Sequence, residues 1–241
     1  MKPFVSCLCP TYGRTGLLEE SIESFLMQDY DGPMELVVVN DLPQQILRCD
    51  APGVRVFNAP QRCDNLGQKR NLAAKYAAGD LLMTWSDDDI HLPNRISANV
   101  REWRRDHYVT EGSHFFLCKS ERSYKKGRLT GPFLMAREGF WELGGIPDAF
   151  TGEDAAFLQK VRAKLQIVES KEASYIYRWG VTERFHASWF DKQGRNGWDE
   201  IQKRVDATLR EGIEPTGIIH LKPHWKEDYE QLRELLCANS R

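Results

Sequence analysis

Three adjacent carboxylates, Asp87-Asp88-Asp89, are the densest concentration of chemistry in this chain. They follow the apolar run Leu81 to Ser86, which reads as a strand. Acids at a strand's C-terminal end in an open α/β sheet face the crevice where ligands bind. Three neighbouring negative charges repel one another, and a divalent cation is a natural way to hold them together. The alternative is a solvated acidic turn before Pro93. A second strand-like run ends in Asn40-Asp41, where a carboxylate can accept a hydrogen bond from a nucleobase or close an Asx-turn. A third ends in Pro10-Thr11-Tyr12-Gly13-Arg14. Pro10, Thr11 and Arg14 would line the same crevice edge, with Tyr12 either stacked on a base or left as a surface aromatic. Three strand ends meeting on one edge carry more weight than any of them alone.

Gly67, followed by Lys69 and Arg70 near a helix start, suits a diphosphate that needs backbone donors and positive charge, although it matches no Walker pattern. A solvated basic helix face explains the same residues. Glu153-Asp154 stands at another helix start, where acids are ordinary. Trp141 and Gly144-Gly145 precede that pair; the indole can stack on a pyranose face or pack in the core.

These residues need positioning elements. Strand-like runs at Val5 to Pro10, Met34 to Asn40, Val54 to Asn58 and Leu81 to Ser86 alternate with helical patterns. Thr15 is placed to cap the first helix, with Glu19 and Glu20 in its first turn and Leu18, Ile22, Phe25 and Leu26 on one face. A second helix spans Asn65 to Ala78, its inward face formed by Leu72, Ala73, Tyr76 and Ala77, with Gly79 as the stop. A third opens at Pro93 and buries Ile96, Val100 and Trp103. This alternation predicts βαβ units and a mostly parallel sheet. After about residue 112 the rhythm changes. Strands are expected at His114 to Lys119, Pro132 to Ala136 and Ser174 to Trp179, and a helix at Glu153 to Leu165. Two helical patterns follow, one from Trp198 and one through Tyr229, Leu232, Leu235 and Leu236. The expected organisation is a domain over 1–190, with a nucleotide-binding half (1–112) and an acceptor half (113–190), and a helical extension over 191–241.

A length of 241 residues with 41% hydrophobic content supports one sizeable core, and a net charge of -2 gives no global argument for a polyanionic partner. No apolar run is long enough to span a bilayer and the N-terminus lacks signal-peptide anatomy, so a cytoplasmic protein is expected. Six cysteines without a C-x-x-C pair read as free thiols rather than a zinc site.

Taken in order, these segments resemble the family-two inverting glycosyltransferases of GT-A fold. Val5 to Tyr12 is similar to their opening strand, and Val37 to Asp41 to the strand ending in a uracil-contacting Asp. Asn65 to Asp80 resembles their Asn-x-Gly, Arg-Asn and Gly-Asp stretch, and Trp85 to Asp89 with Pro93 their acidic metal motif. Gly144-Gly145, Gly152-Glu153-Asp154 and Arg184-Phe185-His186 follow in the family's order. The likeness covers roughly residues 3 to 190. It implies a GT-A mixed sheet flanked by helices and transfer of a sugar from a nucleotide-diphosphate-sugar, with UDP expected, to an acceptor hydroxyl by direct displacement. Pro10, Thr11, Tyr12, Arg14, Asp41, Gly67, Arg70, Asp87 and Asp88 would contact the nucleotide. Asp87 and Asp89 would hold Mn²⁺ or Mg²⁺, Asp89 most directly, with His186 a further ligand unless it is a core histidine. Asp154 would be the general base, its proton affinity raised by Glu153, and Trp141, Gly145 and Glu153 would face the sugar or acceptor. Many relatives carry an Asp where Ser86 stands, which leaves open which carboxylate meets metal and which meets nucleotide.

The acceptor is not written in the sequence. Lys119 to Arg128 is basic around Tyr124, and with Arg101, Arg104 and Arg105 it keeps DNA, such as a hydroxymethylated phage base, among the acceptors, against the alternative of a solvated hairpin. A sugar nucleotidyltransferase and a non-catalytic nucleotide-sugar-binding protein are the competing functions. The first lacks a Gly-rich triphosphate loop near the opening strand, and the second is disfavoured by Asp154 and His186.

Overall fold

The computed structural model describes residues 1–118, 120–149, 152–179 and 216–238. The first half runs β1 (Val5–Thr11), α1 (Thr15–Leu26), β2 (Met34–Asn40), β3 (Gln45–Arg48), β4 (Val54–Asn58), α2 (Leu66–Tyr76), β5 (Leu81–Thr84), β6 (Ile90–His91) and α3 (Arg95–Glu102). The second adds β7 (His107–Glu111), β8 (Ser113–Leu117), β9 (Arg122–Lys126), β10 (Leu134–Ala136), α4 (Arg137–Glu142), α5 (Glu153–Arg162), β11 (Gln166–Ser170) and β12 (Tyr175–Arg178). Near the C-terminus stand β13 (Gly217–His220) and α6 (Tyr229–Ala238).

Seven strands form one sheet in the order β11-β7-β10-β5-β1-β2-β4. All neighbours pair in parallel except β10, which lies antiparallel between β5 and β7. The sheet is covered on both faces, which is why its central strands read as unbroken apolar runs. On β2, Leu36 and Val38 point into one core with Leu18, Ile22 and Phe25 of α1 and Ile96 of α3. Val37 and Val39 point into the other with Ala73 of α2, Phe140 of α4 and Phe157 and Val161 of α5. A four-stranded sheet, β6-β12-β8-β9, carries a third cluster in which Leu232 and Leu236 of α6 cover Ile90, Phe115 and Ile176. β13 pairs in parallel with β3. Among the described residues no helix is long and apolar enough to cross a membrane, and all six cysteines are free thiols.

Several sequence expectations need correcting. Thr15 does not cap α1: Arg14 holds the cap position without a side-chain bond, the turn being made by Gly13 at φ 64°, and Glu19 and Glu20 fall beyond the first turn. The second helix stops at Tyr76, which is exposed, and buries Lys69 and Ala74 instead. The basic segment around Tyr124 forms strand β9, paired antiparallel along its length with β8 as in the hairpin alternative. Leu235 of α6 is exposed, and the C-terminal extension is not all helical, since β13 lies in it. The helix from Trp198 falls outside the described residues.

Candidate functional site

Parallel pairing places Thr11 of β1 beside Asn40 of β2, and Leu8 of β1 beside Thr84 of β5. The loops leaving β1, β2 and β5 therefore open on one edge, which brings Pro10 to Arg14, Asp41 and the acidic run together. Helix α2 supplies the next piece. Asn65 caps it, its side chain accepting from Gln68 N at 2.9 Å, and four residues on, Lys69 is turned inward. The Lys69 ammonium stands 2.5 Å from Asp41 Oδ1 and donates to the Thr11 carbonyl at 3.2 Å, with Lys69 3% and Asp41 0% exposed. Burial lowers the Lys69 pKa, opposed by the attraction of Asp41. Asp41 Oδ2 also accepts from Cys63 N at 3.0 Å. Tyr12 is buried, its ring under the Arg62 guanidinium at 4.2 Å with Lys69 Nζ 5.3 Å from the centroid. A cavity of about 370 Å³ borders this corner, lined by Phe57, Arg62, Cys63, Gln68, Leu72 and Tyr76 among others.

The acidic run divides into two environments. Arg14 grips both Asp87 oxygens, Nε donating to Oδ2 at 3.1 Å and Nη2 to Oδ1, while its Nη1 donates to Asp88 Oδ2 at 2.7 Å. One cation thus spans two carboxylates. Burial raises the Asp87 pKa, Arg14 acting against it. Asp89 faces the other way. Its Oδ2 accepts from the Tyr175 hydroxyl and its Oδ1 from Arg178 N at 2.8 Å, so both oxygens are engaged by the protein. Burial, then repulsion from Asp88, pushes its pKa from 3.8 to about 7. Asp89, expected as the most direct metal ligand, is thus bonded through both oxygens, as Asp87 is through Arg14. Asp87 and Asp88 are the pair that converge on a single cation.

Hard oxygen donors suit Mg²⁺ or Mn²⁺, and such ions are commonly held by one or two carboxylates plus substrate phosphates rather than by an all-protein cage. Arg14 spans the Asp87–Asp88 pair in this structure. Among the described residues no group of three or more His, Cys, Asp or Glu side chains is arranged to hold a metal. His186, expected as a further ligand, lies outside the described residues.

Across from the acidic run, Arg70 Nη1 pairs with Glu153 Oε1 at 2.9 Å. Burial raises the Glu153 pKa, with Arg70 opposing. Asp154, partly buried in the first turn of α5, lies so close to Gly131 that a Cβ there would be 3.1 Å from its Oδ2. Gly67 and Gly145 have packing roles. A Cβ on Gly67 would meet the Pro147 carbonyl oxygen at 2.3 Å, and one on Gly145, at φ 67°, would meet Asn71 Oδ1 at 2.7 Å. Asn71 clamps the same loop, donating to Ile146 O and accepting from Ile146 N. Trp141 is 38% exposed and packs edge-on against Phe140.

Sequence reasoning gave Lys69 a diphosphate role, and the structure buries it on Asp41; the available signal was its position four residues before the buried Ala73. It did not single out Tyr175, Arg178 or Arg62. Several side chains of the basic segment and its neighbours stand beside acids at the surface: Arg122 by Glu227, Lys125 by Glu121, Arg128 by Glu169, and on the α3 side Arg101 by Glu172 and Arg105 by Glu138.

Solved structures share this architecture. S. aureus TarS (residues 1–349), in complex with UDP-GlcNAc, superposes with a TM-score of 0.57 at 18% identity, over 76% of this chain and 60% of that one. The mannosyltransferase PcManGT from Pyrobaculum calidifontis, in complex with GDP-Man and Mn²⁺, gives 0.53 at 17% identity, over 78% and 60%. At such identities the likeness establishes the fold, which is GT-A. An uncharacterized glycosyltransferase of Rickettsia felis is 30% identical over 104 residues, 41% of this chain and only 17% of that protein. The profile described as glycosyl transferase family 2 matches residues 6–161, more than half of the chain, and the chain belongs to that family.

Proposed function

We propose that the chain transfers a sugar from a nucleotide-diphosphate-sugar, with UDP as the expected nucleotide, to an acceptor hydroxyl, with inversion and with Mn²⁺ or Mg²⁺. The observation that carries this reading is the convergence of Asp41 with Lys69 and of Asp87 and Asp88 with Arg14 on one sheet edge. The bound donors of TarS and PcManGT support it by likeness.

In this reading Asp41, fixed by Lys69 and Cys63 N, accepts from the base, while Pro10, Thr11 and Tyr12 wall the nucleoside. The acidic run Asp87, Asp88 and Asp89 would hold the cation, which when bound neutralises charge on the departing diphosphate. Arg14 and Arg70 would be the cations that meet that diphosphate. Asp154 takes the acceptor proton as the hydroxyl oxygen bonds to the anomeric carbon and the bond from that carbon to the diphosphate oxygen breaks. Gly67 and Gly145 act by letting α2 and the 145–147 loop approach closely, and Trp141 and Glu153 flank the acceptor side. The carboxylates beside the basic side chains of β9 and α3 weaken the case for DNA, leaving a neutral hydroxyl acceptor better supported.

Incubation with a panel of nucleotide-sugars and Mn²⁺, scoring slow release of nucleotide diphosphate, tests the reading. Release from one donor, abolished by EDTA, supports it. Pyrophosphate exchange with a nucleoside triphosphate, or silence toward every donor, overturns it.

A further inference from the structure

Behind the acidic run lies a buried charge network that the proposed chemistry leaves unused. Arg178, at the end of β12, is 2% exposed. Its Nη1 donates to Glu20 Oε2 of α1 at 2.8 Å and to the Tyr229 hydroxyl of α6 at 3.2 Å. That hydroxyl in turn donates to Glu20 Oε1 at 2.7 Å. The same arginine reaches forward: its Nε donates to the Asp88 carbonyl at 2.5 Å and its backbone N to Asp89 Oδ1 at 2.8 Å. Glu20 and Tyr229 are 1% and 2% exposed.

A buried ion pair is a poor source of stability, because desolvation offsets the attraction and apolar side chains of similar volume would pack as well. What a guanidinium adds is direction, since its planar fork fixes several acceptors at once. Here the fork ties the Asp88 peptide to α1, and Tyr229 completes the coordination of Glu20. Lys222 N, Trp225 Nε1 and Lys226 Nζ bond to Glu19, Ser24 and Gly16 of α1, so the segment that delivers Tyr229 is strapped to that helix beforehand.

We infer that Glu20, Arg178 and Tyr229 are positioning residues that fix the backbone of Asp88 and Asp89, presenting the Asp88 carboxylate to a divalent cation, so that the C-terminal segment completes the donor site. The inference rests on the proposed nucleotide-sugar reading. Tyr229→Phe removes one hydroxyl and keeps the ring against Trp225, and Arg178→Lys keeps the charge without the fork. Groups that orient metal-binding carboxylates typically carry about 10- to 100-fold in metal affinity.

The experiment measures UDP binding by calorimetry with and without Mn²⁺, Mn²⁺ binding by the loss of its free electron-spin signal, and Tm. Tyr229→Phe should weaken Mn²⁺-dependent UDP binding about tenfold and leave metal-free UDP binding unchanged, and Arg178→Lys should weaken it further. Leu232→Ala, on the same helix but outside the network, should lower Tm while keeping the metal dependence of the unmodified chain. Equal metal dependence in Tyr229→Phe and the unmodified chain, or equal loss in Leu232→Ala, overturns the inference. If the unmodified chain binds neither UDP nor Mn²⁺, the donor reading itself fails, and the inference with it.

Discussion

A lysine in the second turn of a helix ordinarily extends into water, yet Lys69 is buried against Asp41, and neither charge has solvent to fall back on. Removing one member of such a pair strands the other, at a cost of about 3–5 kcal/mol. Lys69→Met is therefore expected to lower stability by about that amount in denaturant titrations, and adding Asp41→Asn to recover part of it. Asp154 should behave differently, because among the described residues no ion pair is made to it. Asp154→Asn is expected to keep donor binding and lose about 10²-fold or more in turnover, read from initial rates beside a UDP titration. Full activity in that variant would remove Asp154 from the base role. The acids Asp41, Asp87 and Asp88 stood out in the sequence because they directly follow apolar strand runs, where the edge of an open sheet faces a crevice. Lys69 and Arg178 were harder to see, because a sequence does not say which long cations turn inward until their partners on other elements are known.

The strands that position the site were legible where both faces of the sheet are covered. The Leu-Val-Val-Val run of β2 has one reading, and it holds over Met34–Asn40. β7 escaped notice because its buried positions include Thr110 and Glu111, polar residues satisfied by other elements: Thr110 Oγ1 donates to the Leu129 and Pro132 carbonyls, and Asn99 and Ser174 donate to Glu111. β6 and β3 are too short to carry a pattern and exist through their partners β12 and β13. On β2 the one buried acid, Glu35, accepts from Ser6 Oγ at 2.6 Å, from Ala78 N at 2.7 Å and from Arg55 at 2.7 Å. Burial alone would raise its pKa, but these donors hold it below the ordinary 4.5. A lowered folded-state value means that the contribution is present above about pH 4.5 and lost as the pH falls through the folded value. Glu35→Gln should destabilise the chain by about 1–3 kcal/mol at pH 7, with the gap to the unmodified protein closing as the pH falls below the ordinary carboxylate value of 4.5, as followed by urea unfolding across pH. Gly67→Ala, driving a methyl toward Pro147 O, should cost about 1–3 kcal/mol by forcing α2 away from the 145–147 loop.

At the scale of the whole molecule, α6 closes a cluster formed by β6, β8 and β12, far from its neighbours in sequence. Leu232→Ala should cost about 2–5 kcal/mol, visible as a lowered Tm. The seven-stranded sheet has a comparable dependence at its middle. Among the described strands, its parallel half, β5-β1-β2-β4, is joined to the β11-β7 pair through β10, a run of three residues whose Leu134 faces Met83 on one side and Val109 on the other. β10 follows both of the strands it separates, so a growing chain has β5 and β7 in hand before the piece that spaces them. Until Leu134–Ala136 slots in, each holds an open edge, and the two could zip directly together in a register that shuts β10 out. The last step of assembly would then be an insertion, and pulse-labelling during refolding should find the amides of Thr84, which donates to the Phe133 carbonyl, and Val109 protected together and late, after those shared by β1 and β2.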